Sequence, residues 1–122
     1  MRILRASEDY LETMLMLQQE VGYIRSVDVA QRLRVSKPSV TNATKRLRES
    51  GHITMEPDGR IVLTPAGMEV AGRMLERHRK LTDFLMKIGV ERETAEADAC
   101  KMEHDITEDT YRALCAHIDK TL

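Results

Sequence analysis

Apolar residues recur every three or four positions along most of the chain, which is the spacing of amphipathic helices. The first such segment predicts a helix that Ser7 caps and Gly22 ends. One stripe of this helix is expected to face a hydrophobic core, and its members are Tyr10, Leu11, Met14, Leu15 and Val21.

Two shorter helices follow, separated only by the segment RVSK. Ser26 is expected to cap the first of them and Ser36 the second. Pro38 falls in the first turn of the second helix, where a missing N–H costs little, and Gly51 closes that helix. The residues predicted to face inward from the two helices are Val29, Ala30, Leu33, Val40, Ala43 and Leu47.

The character of the chain then changes. In HITMEPDGRIVLT, two short apolar runs stand on either side of a Pro-Asp-Gly turn, which predicts a β-hairpin. This hairpin is expected to place Ile53 and Met55 of one strand opposite Ile61 and Leu63 of the other.

A long fourth helix is predicted to begin at Pro65, with Thr64 as its cap, and to reach about Ile88. Two further helices are expected at roughly 91–105 and 108–120, the last one capped by Thr107. The predicted fold class is therefore mainly α. Residues 1–64 would form a winged helix-turn-helix with a short β-hairpin wing, and residues 65–122 a helical region.

The composition is that of a small globular protein, with 122 residues of which 42% are hydrophobic and 32% charged. No apolar run approaches the roughly 18 residues of a membrane-spanning helix. The stretch MRILRASEDY has two arginines but no apolar core, so we do not expect a signal peptide there. We therefore expect a cytoplasmic protein without a membrane partner, in which Cys100 and Cys115 are reduced.

The net charge is −1, but the charges are unevenly distributed. Residues 25–60 carry eight Lys and Arg against four acids, whereas residues 91–122 carry nine acids against four Lys and Arg. This asymmetry favours a polyanion as the partner of the first segment and cations as the partners of the second. Chance segregation of surface charge would explain the same distribution.

The basic segment coincides with the helix-turn-helix pattern. Short hydroxyl and amide side chains at the start of a helix can reach base edges and phosphates, and Arg60 near the wing tip can meet phosphate. We interpret the segment as a reader of double-stranded DNA, although two helices that only pack together would show similar spacing. The candidate DNA-contacting residues are Ser36, Lys37, Pro38, Ser39, Thr41, Asn42, Lys45, Arg46 and Arg60.

The acidic segment contains DACKMEHD, which sets Cys100, Glu103 and His104 three and four residues apart on one helical face. A thiolate, a carboxylate and an imidazole are all donors for transition metals. Three more candidates lie on other helices, and the one on the fourth helix is expected to point inward from an apolar stripe: Asp9, Glu12 and His78. Each of the six also has a purely structural explanation, so spacing alone leaves the metal site open.

Five motifs follow one another along the chain: EDYLE, VSKPSVTNATKRL, LTPAG, RHRKLTDFL and DACKMEHDI. In this order they resemble the DtxR/MntR family, the diphtheria-toxin-repressor and manganese-transport-regulator group of metal-dependent repressors. The resemblance extends over nearly all of residues 7–118.

The resemblance implies a homodimeric winged-helix repressor whose second region, residues 65–122, binds metal and forms the dimer. The ligand positions it implies are Asp9, Glu12, His78, Cys100, Glu103 and His104. Asp9 and Glu12 look like the manganese branch, whereas Cys100 stands where that branch has a glutamate and looks like the iron branch. The iron branch has methionine in place of Asp9 and a further glutamate near Thr82, so the implied site is mixed.

Mn(II) or Fe(II) is therefore the expected corepressor, with other divalent transition metals able to bind in vitro. Metal is expected to tie the first helix to the fourth and fifth. The spacing of the two recognition helices would then match a palindromic operator of metal-uptake genes. We also expect the chain, which stops at Leu122, to lack the SH3-like third domain of many iron-type members.

We expect neither a small organic ligand nor enzymatic activity. A small metalloenzyme is disfavoured because the chain shows no substrate-binding loop, Gly-rich turn or nucleophile–base pair. The alternative that stays open is a metal-independent winged-helix regulator that senses oxidants through Cys100.

Overall fold

The computed structural model describes residues 5–121. Residues 1–4 and Leu122 lie outside the described residues, and so does the beginning of MRILRASEDY, in which no signal peptide is expected. The strands form a two-stranded antiparallel hairpin among six helices of the described chain, which confirms the mainly α fold class. In chain order the elements are α1 (Arg5–Val21), α2 (Ser26–Leu33), α3 (Lys37–Glu49), β1 (Ile53–Met55), β2 (Ile61–Leu63), α4 (Pro65–Lys87), α5 (Arg92–Asp105) and α6 (Glu108–Thr121).

The chain divides into two compact units, one up to Arg73 and one from Met74 onward. In the first unit, α1, α2, α3 and the hairpin pack around one apolar core. Its fully buried side chains include Leu11, Met14, Ile24, Val29, Val40, Leu47 and Ile53. Gly67 is part of this packing, because a Cβ at that position would overlap the carbonyl oxygen of His52.

The first helix ends as predicted, at Val21 directly before Gly22, but its start and one member of its apolar stripe differ from the prediction. Ser7 lies inside α1, which already includes Arg5 and Ala6, so Ser7 is not its cap. Arg and Ala are strong helix formers, which explains why the helix extends past the serine. Val21 is 51% exposed rather than part of the core, because it is the last residue of the helix. The rest of the predicted stripe is buried, namely Tyr10, Leu11, Met14 and Leu15.

The second helix also has a different cap from the one predicted. The N–H of Ile61 donates to the carbonyl of Ile24 at 2.9 Å, which ties the α1–α2 connection to β2. Arg25 follows the bridged residue Ile24 and has an extended backbone (φ −120°, ψ 145°). Arg25 is therefore the N-cap of α2, and Ser26, the predicted cap, is already part of the helix.

Three predicted caps are confirmed by hydrogen bonds from the backbone of the first turn. Each one satisfies a helix N–H that would otherwise have no partner, so the starts of α3, α4 and α6 follow from local sequence. The accepting hydroxyls and donating N–H groups are Ser36 with Ser39 (3.2 Å), Thr64 with Gly67 (3.2 Å) and Thr107 with Thr110 (3.2 Å).

The hairpin has the predicted register, with Ile53 opposite Leu63 and Met55 opposite Ile61. Its turn includes a hydrogen bond from the N–H of Gly59 to the carbonyl at position 56, at 2.9 Å. Gly59 has a φ of +91°, a backbone conformation that is strained for any residue with a side chain. The turn therefore needs the glycine of the Pro-Asp-Gly sequence.

In the second unit, hydrogen bonds join α4 to both following helices. Arg77 donates to the carbonyl of Glu103 on α5 at 3.0 Å, and Lys80 donates to Asp119 on α6 at 2.6 Å. Cys100 and Cys115 are free thiols. No helix in the described part of the chain combines the length and apolarity needed to cross a membrane.

Candidate DNA-binding surface and metal centre

Helix α3 has one buried side and one exposed side. Val40, Ala43, Thr44 and Leu47 are buried against the first unit. All nine candidate DNA-contacting residues are exposed, eight of them on α3 or at its N-cap and one on the hairpin. They are Ser36, Lys37, Pro38, Ser39, Thr41, Asn42, Lys45, Arg46 and Arg60.

The hydroxyl groups at the start of α3 form local hydrogen bonds. The Oγ atoms of Ser36 and Ser39 are 2.9 Å apart, and Thr41 Oγ1 donates to the carbonyl of Lys37 at 3.1 Å. These bonds hold the first turn and reduce the capacity of the hydroxyls to read a base. Asn42, one residue beyond Thr41, offers both a donor and an acceptor on its exposed amide.

A basic cluster joins the hairpin to the α1–α2 connection, and the sequence predicted only its member Arg60. The ring of Tyr23 lies 4.7 Å from the guanidinium of Arg60 and 5.0 Å from that of Arg25, measured to the ring centroid. Tyr23 and Arg25 flank the bridge between Ile24 and Ile61, so a non-local strand contact assembles the cluster. No local sequence motif marks this arrangement.

Glu103 is the centre of the candidate metal site in the second unit. Its side chain is fully buried, with Oε2 3.0 Å from His78 Nδ1 and Oε1 3.3 Å from His104 Nε2. The Sγ atom of Cys100, a carboxylate oxygen of Glu103 and a ring nitrogen of His104 lie within 4.8 Å of one another. The second unit therefore brings together all four candidate ligands that it contributes.

The other two candidate ligands belong to the first unit. Asp9 and Glu12 lie three residues apart on α1, Asp9 half-buried and Glu12 only 6% exposed. Burial of a carboxylate is costly unless a hydrogen bond or an opposite charge compensates it. Its burial sets Glu12 apart from Glu20, an exposed acid of the same helix.

The donor set of the second unit fits a divalent transition metal. Imidazole nitrogens and a thiolate are preferred by first-row transition ions, whereas Ca²⁺ and Mg²⁺ favour oxygen ligands. A buried carboxylate between two imidazoles also supplies the negative charge that a cation would balance. Residues that spacing alone left open thus form a compact cluster of suitable chemistry.

Comparison with protein families gives two matches that together cover almost the whole chain. Residues 3–61 match the family described as "Iron dependent repressor, N-terminal DNA binding domain". Residues 64–121 match the family described as "Iron dependent repressor, metal binding and dimerisation domain". Helix α3, with its exposed candidate DNA-contacting side, lies in the first match, and the cluster around Glu103 lies in the second.

Individual relatives agree with the family matches. The transcriptional regulator MntR of Salmonella typhimurium is 42% identical over 109 residues, which cover 89% of this chain and 69% of that protein. The solved structure of T. acidophilum IdeR has a TM-score of 0.83 at 28% identity, over 98% of this chain and 56% of that one. A manganese-dependent transcriptional repressor solved in complex with manganese has a TM-score of 0.79 at 27% identity, over 93% and 51%.

The chain thus spans about two thirds of that MntR protein and about half of each of the two solved structures. The resemblance expected from the five motifs is confirmed, and so is the expectation that the protein is a regulator. The chain belongs to the DtxR/MntR family of metal-dependent, DNA-binding transcriptional repressors and is not an enzyme.

Proposed function

We propose that the protein represses metal-uptake genes by binding a palindromic operator as a homodimer when it carries Mn(II) or Fe(II). The observation that carries the proposal is the buried carboxylate of Glu103 in contact with His78 and His104. We place the protein in the cytoplasm, with DNA and a second copy of the chain as partners. Neither a membrane nor a small organic ligand has a role in this proposal.

The two functions are proposed to divide along the chain at residue 64. Residues 1–64 would bind DNA, and residues 65–122 would bind metal and form the dimer. The family matches over residues 3–61 and 64–121 support this division.

The proposed ligands come from α1, α4 and α5: Asp9, Glu12, His78, Cys100, Glu103 and His104. The bound cation would neutralise the clustered carboxylates. Because α1 belongs to the same unit as α3, ligands on α1 would link the metal content of the protein to its DNA-binding part. Metal can favour the DNA-competent state only by binding it more tightly than the other state.

The choice between Mn(II) and Fe(II) depends on Cys100. Carboxylates and water suit the hard Mn(II) ion, whereas a thiolate favours Fe(II) and also Co(II), Ni(II) and Zn(II). The manganese named for one solved relative favours the first ion, and Cys100 favours the second. Other divalent transition metals are expected to bind in vitro.

On the DNA side, we propose that Asn42 reads a base edge and that Lys45, Arg46 and Arg60 contact phosphates. Exposure of these side chains on one side of α3 and on the hairpin supports these roles. Contacts to phosphate would supply most of the affinity, and contacts to base edges the sequence preference.

Anaerobic fluorescence anisotropy tests the proposed function. The full chain would be titrated onto DNA from upstream of its own gene, at fixed salt, with Mn(II), with Fe(II) and with a chelator. We expect binding to tighten sharply with one ion, which then identifies the corepressor. Equally tight binding with chelator would overturn the metal switch. Release of that DNA by peroxide would then favour oxidant sensing through Cys100.

A further inference from the structure

Arg77 is a buried cation that the proposed ligand set does not explain. It lies on α4 directly before His78 and is only 5% exposed. Its Nη1 atom donates to two main-chain oxygens, the carbonyl of Glu103 at 3.0 Å and the carbonyl of Ile106 at 3.2 Å. One side chain on α4 therefore holds the last turn of α5 and the connection that follows it.

The same guanidinium also reaches the start of α6. Its Nη2 atom forms an ion pair with Glu108 at 2.6 Å, and the guanidinium carbon lies 4.8 Å from the ring centroid of Tyr111. Arg77 thus contacts an acceptor or a ring on each of three successive segments. The planar guanidinium suits this role, because its nitrogens donate in different fixed directions, whereas a lysine ammonium donates from a single nitrogen.

These contacts involve the C-terminal end of helix α5. The last carbonyls of a helix have no partner within the helix, and a cation near them interacts favourably with the helix dipole. Burying the guanidinium is costly, however, and this cost offsets much of the stability that its contacts provide. What Arg77 supplies is therefore better described as position than as stability.

Two consecutive residues of α4 contact Glu103, one at its main-chain carbonyl and the other at its carboxylate. Arg77 binds its main-chain oxygen at 3.0 Å, and His78 contacts its carboxylate at 3.0 Å. A carboxylate on the last turn of a helix would otherwise move whenever that turn frays. We propose that Arg77 is a positioning residue of the metal centre, which fixes the backbone of Glu103 so that its carboxylate meets the imidazoles. This inference rests on the proposed role of Glu103 as a ligand.

Metal affinity of the full chain tests the inference, with Mn(II) and Co(II) as probes in calorimetry or chelator competition. The variants are Arg77→Met and Arg77→Lys, and the matched control is Arg112→Met. Arg112 is an exposed arginine that contacts the same carboxylate of Glu108, at 3.3 Å. Groups that orient metal ligands typically change affinity by about 10- to 100-fold. We expect at least about a tenfold loss in both Arg77 variants and less than a twofold change in the control.

A metal-free readout separates positioning from simple destabilisation. In the apo protein, amide hydrogen exchange in the last turn of α5 should accelerate in the Arg77 variants but not in Arg112→Met. The visible spectrum of the Co(II) form should also change, because the ligand geometry changes. A purely structural residue would lower the melting temperature and leave the affinity and spectrum of the folded protein as in wild type.

Each outcome has a distinct meaning. Wild-type affinity and spectrum in a folded Arg77 variant would overturn the positioning role, and Arg77→Lys decides if Arg77→Met does not fold. If wild type itself binds neither Mn(II) nor Co(II), the proposed function fails, and the positioning role fails with it.

Discussion

The Nδ1 atom of His78 lies 3.0 Å from the Oε2 atom of Glu103, which joins α4 to α5 inside the second unit. The two residues are 25 positions apart in sequence. Glu103 also contacts His104 through its other oxygen, so both carboxylate oxygens face an imidazole. This arrangement is the structural basis for expecting transition-metal chemistry in this half of the chain.

Cys100 decides the character of the proposed site, and cobalt spectroscopy can show whether it is a ligand. We expect the Co(II) form of wild type to show thiolate-to-metal charge transfer and Cys100→Ser to lose it, because only a bound thiolate gives this absorption. The measurement is the near-ultraviolet spectrum during anaerobic Co(II) titration. Cys115→Ser is the matched control, since Cys115 is the other free thiol, on α6. Retained absorption in Cys100→Ser would contradict direct ligation.

The exposed amide of Asn42 is predicted to read a base edge. Asn42→Ala should weaken binding to the specific operator by about 1–3 kcal/mol, because an amide that forms two hydrogen bonds with a base is worth that much discrimination. Anisotropy titrations on operator and on random DNA, with metal present, measure the effect. Gln31→Ala removes an exposed amide from α2 and is the control. An equal loss on random DNA would show that Asn42 does not read sequence.

Arg60 is predicted to contact phosphate from the hairpin. Arg60→Ala should reduce the slope of log affinity against log salt by about one, because each neutralised phosphate releases about one counterion. The salt dependence of anisotropy on any duplex gives this slope. Arg112→Ala, which removes an exposed arginine from the acidic segment, should leave it unchanged. Loss of affinity without a change in slope would argue against a phosphate contact.

The ion pair between Glu108 and Arg77 predicts a pH dependence of stability. The hydrogen bond from Arg77 lowers the pKa of Glu108 below its ordinary value, and Arg112 acts in the same direction. A carboxyl group whose pKa is lower in the folded state than in the unfolded state stabilises the folded state. This contribution is fully present at pH values above the unfolded-state pKa of about 4.3. That contribution disappears as the pH falls through the folded-state pKa. Glu108→Gln should therefore lower the melting temperature near neutral pH and reduce its decline in acid.

Thermal unfolding between about pH 7 and pH 3, a range that brackets the ordinary glutamate pKa, measures this effect. Glu96→Gln is the control, because Glu96 is an exposed acid of α5 paired with an exposed arginine at 3.6 Å. Parallel pH profiles of Glu108→Gln and wild type would contradict the prediction.

Local sequence was sufficient to predict those parts of the fold that depend on neighbouring residues. Ser36, Thr64 and Thr107 cap their helices as expected, because a cap needs only its own first turn. Ser7 and Ser26 do not, because the preceding residues decide where the helix begins. At Ser26 the deciding contact is the bridge from Ile24 to Ile61, which no local pattern reveals.

The candidate site was predictable to the same extent. Helical spacing placed Cys100, Glu103 and His104 together, but the approach of His78 depends on how α4 and α5 pack. Arg77 was missed for a related reason. An arginine in a charged helix resembles a solvated surface residue, and only the fold shows that it is buried against the end of α5.

We propose that metal held at Glu103 permits DNA binding, and one comparison tests this most directly. Operator binding by wild type and by Glu103→Gln would be measured by anaerobic anisotropy with and without the activating ion, after circular dichroism confirms that both are folded. We expect wild type to bind tightly only with metal, and the variant to bind weakly under both conditions. A folded variant with an undiminished metal response would contradict the claim.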